Sequence, residues 1–136
     1  LEASGSNLIS EVDQATVELL DDDTFSLLVP LLAQVWYVFV PSGTRGPGLD
    51  RDELVASIRI ELEALMKILK SGSPSELGKF AQSGAQPALL AALSGLLLEG
   101  YDELPKKIRP DANAQVMMLA VLRAVIEEMD RVCRAR

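Results

Sequence analysis

Histidine is absent from the whole 136-residue chain. Imidazole is the commonest side chain for moving protons near neutral pH. It also supplies the base of Ser-His and Cys-His dyads and most zinc and di-iron ligand sets. Those chemistries therefore fall away, and no metal or cofactor is expected. Cysteine occurs once, at Cys133, so no internal disulfide can form and nothing requires an oxidising compartment. The longest apolar run, 27–40, has 14 residues and is interrupted by Pro30 and Gln34. A spanning helix needs ~20, so no membrane association is expected. The first residues, 1–6, have neither the basic nor the apolar region of a signal peptide and read as a flexible lead or cloning remnant. An intracellular protein of cytoplasm or nucleus is the resulting expectation. Aromatic residues are also scarce, at 4%.

Leu, Ala and Val dominate instead, in a chain that is 49% hydrophobic with a mean hydropathy of +0.20. That is the composition of packed helices, and the length suits one domain with a single core. So large an apolar share in a small domain also points to surface covered by a partner, a second copy or further repeats. The net charge of −7 is uneven: residues 1–63 hold 12 acidic and 3 basic side chains, and residues 64–136 hold 8 and 10. No basic stripe exists to follow a phosphate backbone, so nucleic acid is not expected as a ligand. Arg131, Arg134 and Arg136 suit the last turn of a helix, where cations complement the macrodipole.

The spacing predicts an all-α fold. Ser6 or Ser10 caps a first helix with Leu8, Ile9, Val12, Ala15 and Leu19 on one face, ending near Asp21-Asp22-Asp23. Thr24 and Phe25 start a second apolar element, which Pro30 kinks or divides. Its end, 35–40, is rich in strand formers, but no second strand exists to pair with it, so helix is favoured. Residues 42–48 read as a glycine-rich loop. Asp50 and Glu53 form a capping box before a helix with Leu54, Ile58, Leu62, Leu65 and Leu69 on one face, which Ser71-Gly72 ends. Further on, Ser73 caps a short helix beginning at Pro74 and stopping at Gly84, and Pro87 opens another through Leu89, Leu90, Leu93, Leu96 and Leu97 to Gly100. After Pro110-Asp111 comes a long helix with apolar positions at 118, 122, 125, 129 and 132.

The run Gly84-Ala85-Gln86-Pro87-Ala88-Leu89-Leu90-Ala91-Ala92-Leu93 resembles the Gly-x-x-Pro-x-Leu-x-x-Leu-Leu opening of an armadillo second helix. The helix from Asp111 through Glu127, with Gln115, Met118, Val121 and Leu122, is similar to the groove-lining third helix of such a repeat, and HEAT-like repeats fit nearly as well. Residues 50–69 would be the matching long helix of the preceding unit, so the resemblance covers 50–134. It implies a layered array in which each unit buries its face on the next, or failing that an irregular helical bundle. The groove Trp and Asn that hold peptide backbone in that family would fall at Ala120 and Ala124 and are missing here. The 100–110 link is also longer than the family's usual turn.

Acidic groups carry little chemistry on this reading. Adjacent carboxylates at 21–23 point apart, Glu127 pairs with Arg131, and Asp130 pairs with Arg134 at i,i+4. Cys133, among arginines, has the setting of a reactive thiol but sits on an apolar seam, which favours a small core residue. Arg45 lies in a loop with the freedom to wrap an anion, though without a phosphate-loop ending. Trp36 and Tyr37 are natural interface anchors or the largest members of the core.

The expected function is a non-enzymatic protein interaction module that binds a partner helix or segment. The alternatives are a homodimeric helical chaperone or assembly factor, and a small-ligand or nucleotide-handling helical enzyme using acidic residues and Arg45. The expected partner face is Ala120, Arg123, Ala124 and Glu127, with Met118, Leu122, Val125 and Met129 turned inward; Arg45, Trp36 and Tyr37 are next in line. On this reading, reversing Arg123 to Glu weakens binding by roughly 1 to 3 kcal/mol and leaves stability nearly unchanged.

Overall fold

The first helix, α1, spans Ala3–Thr16 in a computed structural model that describes residues 3–40, 49–72, 74–81, 86, 88–93, 95 and 112–134. It begins upstream of both serines expected to cap it, and Leu8 and Val12, one helical turn apart, are fully buried. Thr16 continues that face into the core, where its hydroxyl donates to the Val12 carbonyl at 2.8 Å and so leaves no unpaired polar group. The chain then turns tightly, with the backbone N–H groups of Leu19 and Leu20 both donating to the Thr16 carbonyl at 2.9 Å.

Helix α2 spans Asp22–Phe39. Its N-cap is Asp21, three residues earlier than Thr24: the Asp21 carboxylate accepts from the Thr24 backbone N–H at 2.7 Å, and Asp22 and Asp23 lie in the first turn. All three suit the positive end of the helix dipole. Pro30 does not divide the helix. It lies on the exposed side, as does Ser26, whose carbonyl has no N–H of residue 30 to accept from. The 35–40 stretch is helical up to Phe39, and only Val40 is extended, as the C-cap.

Helix α3, Arg51–Ser71, has the expected ends. Asp50 accepts from the Glu53 backbone N–H at 3.0 Å, and Gly72 takes the left-handed conformation, φ +69°, that a Cβ disfavours. Helix α4 is Pro74–Ala81. The expected cap Ser73 and the stop at Gly84 lie outside the described residues. Residues 88–93 are helical, with Leu90 and Leu93 buried, and Gly100 and the 100–110 link again lie outside the described residues. Helix α5 is Ala112–Arg134. The fold is all-α, with no strand among the described residues.

Helix α5 is the centre of the fold. Its most extensive packing is with α3, followed by α2. Cross-helix partners fix the direction: Glu53 meets Arg131, Glu61 meets Arg123, and Leu65 meets Ala120. Each step forward along α3 is a step back along α5, so the two helices are antiparallel. Equivalent helices in a stack of repeats run the same way, so 50–70 and 111–134 are not placed as matching members of successive units, and no repeat is identified in the fold. One core joins α1, α2, α3, residues 90 and 93, and α5. A smaller cluster of Leu65, Phe80 and Ala120 lies between α3, α4 and α5.

Candidate functional site

The central position of α5 decides the fate of the expected partner face. Met118, Leu122, Val125 and Met129 are buried, as the apolar spacing requires, but so are Ala120, Val121, Ala124 and Ile126. From 118 to 130 the helix is enclosed on several sides, and none of those residues is fully exposed. Ala120 and Ala124 are therefore corrected from partner-facing to core positions: their small side chains make room for neighbouring helices of the same chain, with Leu65 and Phe80 against Ala120.

Arg123 is also turned inward. Its Nε lies 3.0 Å from Glu61 Oε2 and 4.0 Å from Glu127 Oε1, with the three side chains only 18%, 13% and 29% exposed. The Nε atom is closed off from solvent and makes no hydrogen bond, so the contact with Glu61 is an ion pair off the hydrogen-bonding line. The guanidinium carbon stands 4.4 Å from the centre of the Phe80 ring, within cation–π range. Two carboxylates thus share one cation above an aromatic face. Burial pushes the Glu61 carboxyl above its ordinary value; the nearby Arg123 opposes this and Glu127 adds to it. Beside the cluster is a shallow hollow of about 270 Å³ lined by Ile68, Glu76, Lys79, Phe80 and Arg123.

Glu127 therefore faces Arg123 and not Arg131 as expected. Arg131 instead pairs with Glu128 at 2.7 Å and with Glu53 on α3. The expected Asp130 and Arg134 pair is present at 2.7 Å, and Asp130 also accepts from Gln86 Nε2 at 3.0 Å, tying the segment before residues 88–93 to α5. Cys133 packs against the core, its sulfur 4.0 Å from the Phe39 carbonyl. Arg45 lies outside the described residues.

Trp36 and Tyr37, adjacent in sequence, part company. Trp36 is a core residue, 6% exposed, and is corrected as an interface anchor; Tyr37 is 62% exposed, with Val38 beside it at 56%. With Ser26, Pro30 and Gln34 they form the outward face of α2, a stripe repeating every three or four residues. No charged residue occurs between Thr24 and Val40.

The chain matches no family model, no curated protein and no solved structure. No helix among the described residues is long and apolar enough to cross a membrane.

One further surface lies outside every expectation drawn from the sequence. A groove of about 360 Å³ runs between the end of α1 and the first half of α3, lined by Gln14, Ala15, Val17, Glu18, Leu19, Val55, Ile58, Arg59 and Leu62. Val17, in the turn after α1, falls off the face that carries Leu8, Val12 and Thr16 and is 68% exposed.

Proposed function

We propose that the chain is a non-enzymatic helical interaction module that receives an amphipathic helix of another protein along α2. The observation that carries this reading is the outward face of α2 from Ser26 to Val38, which carries no charge, with Tyr37 and Val38 more than half exposed, in a chain that is 24% charged. Covering such a face strips no ion of water, and the desolvation penalty that opposes burial of charged helices is absent. Tyr37 offers a large apolar area with a polar tip, the type of residue that dominates binding energy at interfaces. The partner's apolar ridge would follow Tyr37 and Val38, with polar groups meeting Gln34 and Ser26. The lack of histidine leaves few routes to an enzyme. Affinity capture from native extract with the parent chain and with a Tyr37→Asp, Val38→Asp variant tests it. A protein retained by the parent and lost from an equally stable variant is expected; identical capture by both would remove α2 as the docking face.

A further inference from the structure

The groove between α1 and α3 has a feature the α2 face lacks: it carries its own complement. Its floor is apolar, formed by Ala15, Leu19, Val55, Ile58 and Leu62. One rim, from the turn after α1, presents exposed Val17 and Glu18; the other, from α3, presents exposed Arg59. The turn is fixed by the hydrogen bonds from Leu19 and Leu20 to the Thr16 carbonyl, so Val17 stands on a held backbone. Neither Glu18 nor Arg59 forms an ion pair among the described residues. A two-fold axis along the groove would exchange the rims, setting Glu18 of each copy opposite Arg59 of the other and bringing the two apolar floors, each flanked by its own Val17, face to face. An interface of this symmetry requires the same patch to be complementary to itself, and an apolar floor between two rims of opposite charge meets that requirement.

We infer that the α1–α3 groove is a self-association site whose occupant is a second copy of this chain. The groove is a small patch beside the ~20 to 30 residues a side of a standard interface, so a weak, concentration-dependent dimer is expected. The inference is separate from the α2 reading, since the two surfaces share no residue.

Sedimentation velocity from low micromolar to millimolar concentration tests it on the full chain. The parent should shift from monomer to dimer across that range. Glu18→Arg and Arg59→Glu, each turning the two symmetry-related attractions into two repulsions, should each raise the dissociation constant about tenfold or more. Mixing the two variants should restore association, because the first then carries a cation on both rims and the second a carboxylate on both. Val17→Asp should abolish dimerisation, and Tyr37→Asp should leave it unchanged. Circular dichroism checks that each variant is folded, and the mixing experiment separates lost complementarity from lost structure. A parent that stays monomeric to millimolar concentration overturns the inference. So does a dimer indifferent to Val17→Asp and to both reversals.

Discussion

The Nε of Arg123 lies 3.0 Å from a carboxylate oxygen of Glu61, and this ion pair ties the middle of α5 to the middle of α3 where both side chains are mostly buried. Arg123 is therefore a structural residue. Removing one member of such a pair leaves the other desolvated and uncompensated, which costs more than an exposed pair contributes. Replacing Arg123 by Glu would set three carboxylates together and lose the contact with Phe80. A loss of roughly 2 to 4 kcal/mol is expected, somewhat below the range for fully buried pairs because all three side chains keep some solvent contact. Urea denaturation would measure it, and an unchanged midpoint would return Arg123 to the surface role the sequence assigns it.

The Glu61 carboxyl gives a pH signature. Burial raises its value in the folded state above that in the unfolded chain. At neutral pH both states are ionised, and the folded state bears the full cost of the poorly solvated charge. As pH falls through the raised folded value toward the ordinary glutamate range, that cost disappears. Glu61→Gln cannot titrate, so the variant should look most stable relative to the parent at pH 7, with its relative standing falling by pH 4. Paired thermal melts across that interval read the sign directly, and a difference that stays flat or runs the other way would contradict the buried-carboxylate account.

Ala120 tests the same interface through volume. With Leu65 and Phe80 packed on it, Ala120→Leu must push α3 or α4 away or force a strained rotamer, at a cost of about 1 to 3 kcal/mol. On an open groove face the same change would be near neutral. Equilibrium denaturation distinguishes the two.

Those three positions show where the sequence stops being legible. Caps and periodicity are local, so the Asp50 start and Gly72 end of α3, and the seam at 118, 122, 125 and 129, are readable from residues a turn or two apart. How many neighbours surround a helix is not local. The pattern of α5 marks its most apolar side but says nothing of α3 closing over Ala120, or of the core reaching Ala124 as well. A clue does exist in α3, where Glu61 falls among Ile58, Leu62 and Leu65 on the buried stripe and so calls for a cation from another helix. The start of α2 misleads for a local reason: three consecutive aspartates look like the end of one helix, whereas the first of them caps the next.

That cap is itself testable by pH. The Asp21 carboxyl is held below its ordinary value, first by the backbone N–H of Thr24 and then by the Thr24 side chain. The stabilisation it gives is complete above the unfolded value and is lost as pH falls through the lowered folded one. The parent's advantage over Asp21→Ala should be constant near neutrality and shrink in acid. Asp21→Asn, which keeps a capping oxygen without a charge, should lack that acid-dependent loss. Melting curves of the three proteins down to strongly acidic pH decide the matter, and a gap independent of pH would mean that the carboxylate's charge contributes nothing to the cap.

Trp36 and Tyr37 offer the sharpest contrast in the chain, because one peptide bond separates a core residue from the most exposed aromatic among the described residues. Residues adjacent on a helix point about 100° apart, and here that rotation carries the side chain from the packed interior to solvent. Trp36→Ala should open a cavity beneath α2 and cost about 3 to 5 kcal/mol. Tyr37→Ala should leave stability within about 0.5 kcal/mol, as is usual for surface changes away from caps and ion pairs. Chemical denaturation of the two single variants measures both effects. If Tyr37→Ala were instead strongly destabilising, Tyr37 would be part of the fold, and the charge-free stripe of α2 would lose the anchor on which its proposed role depends.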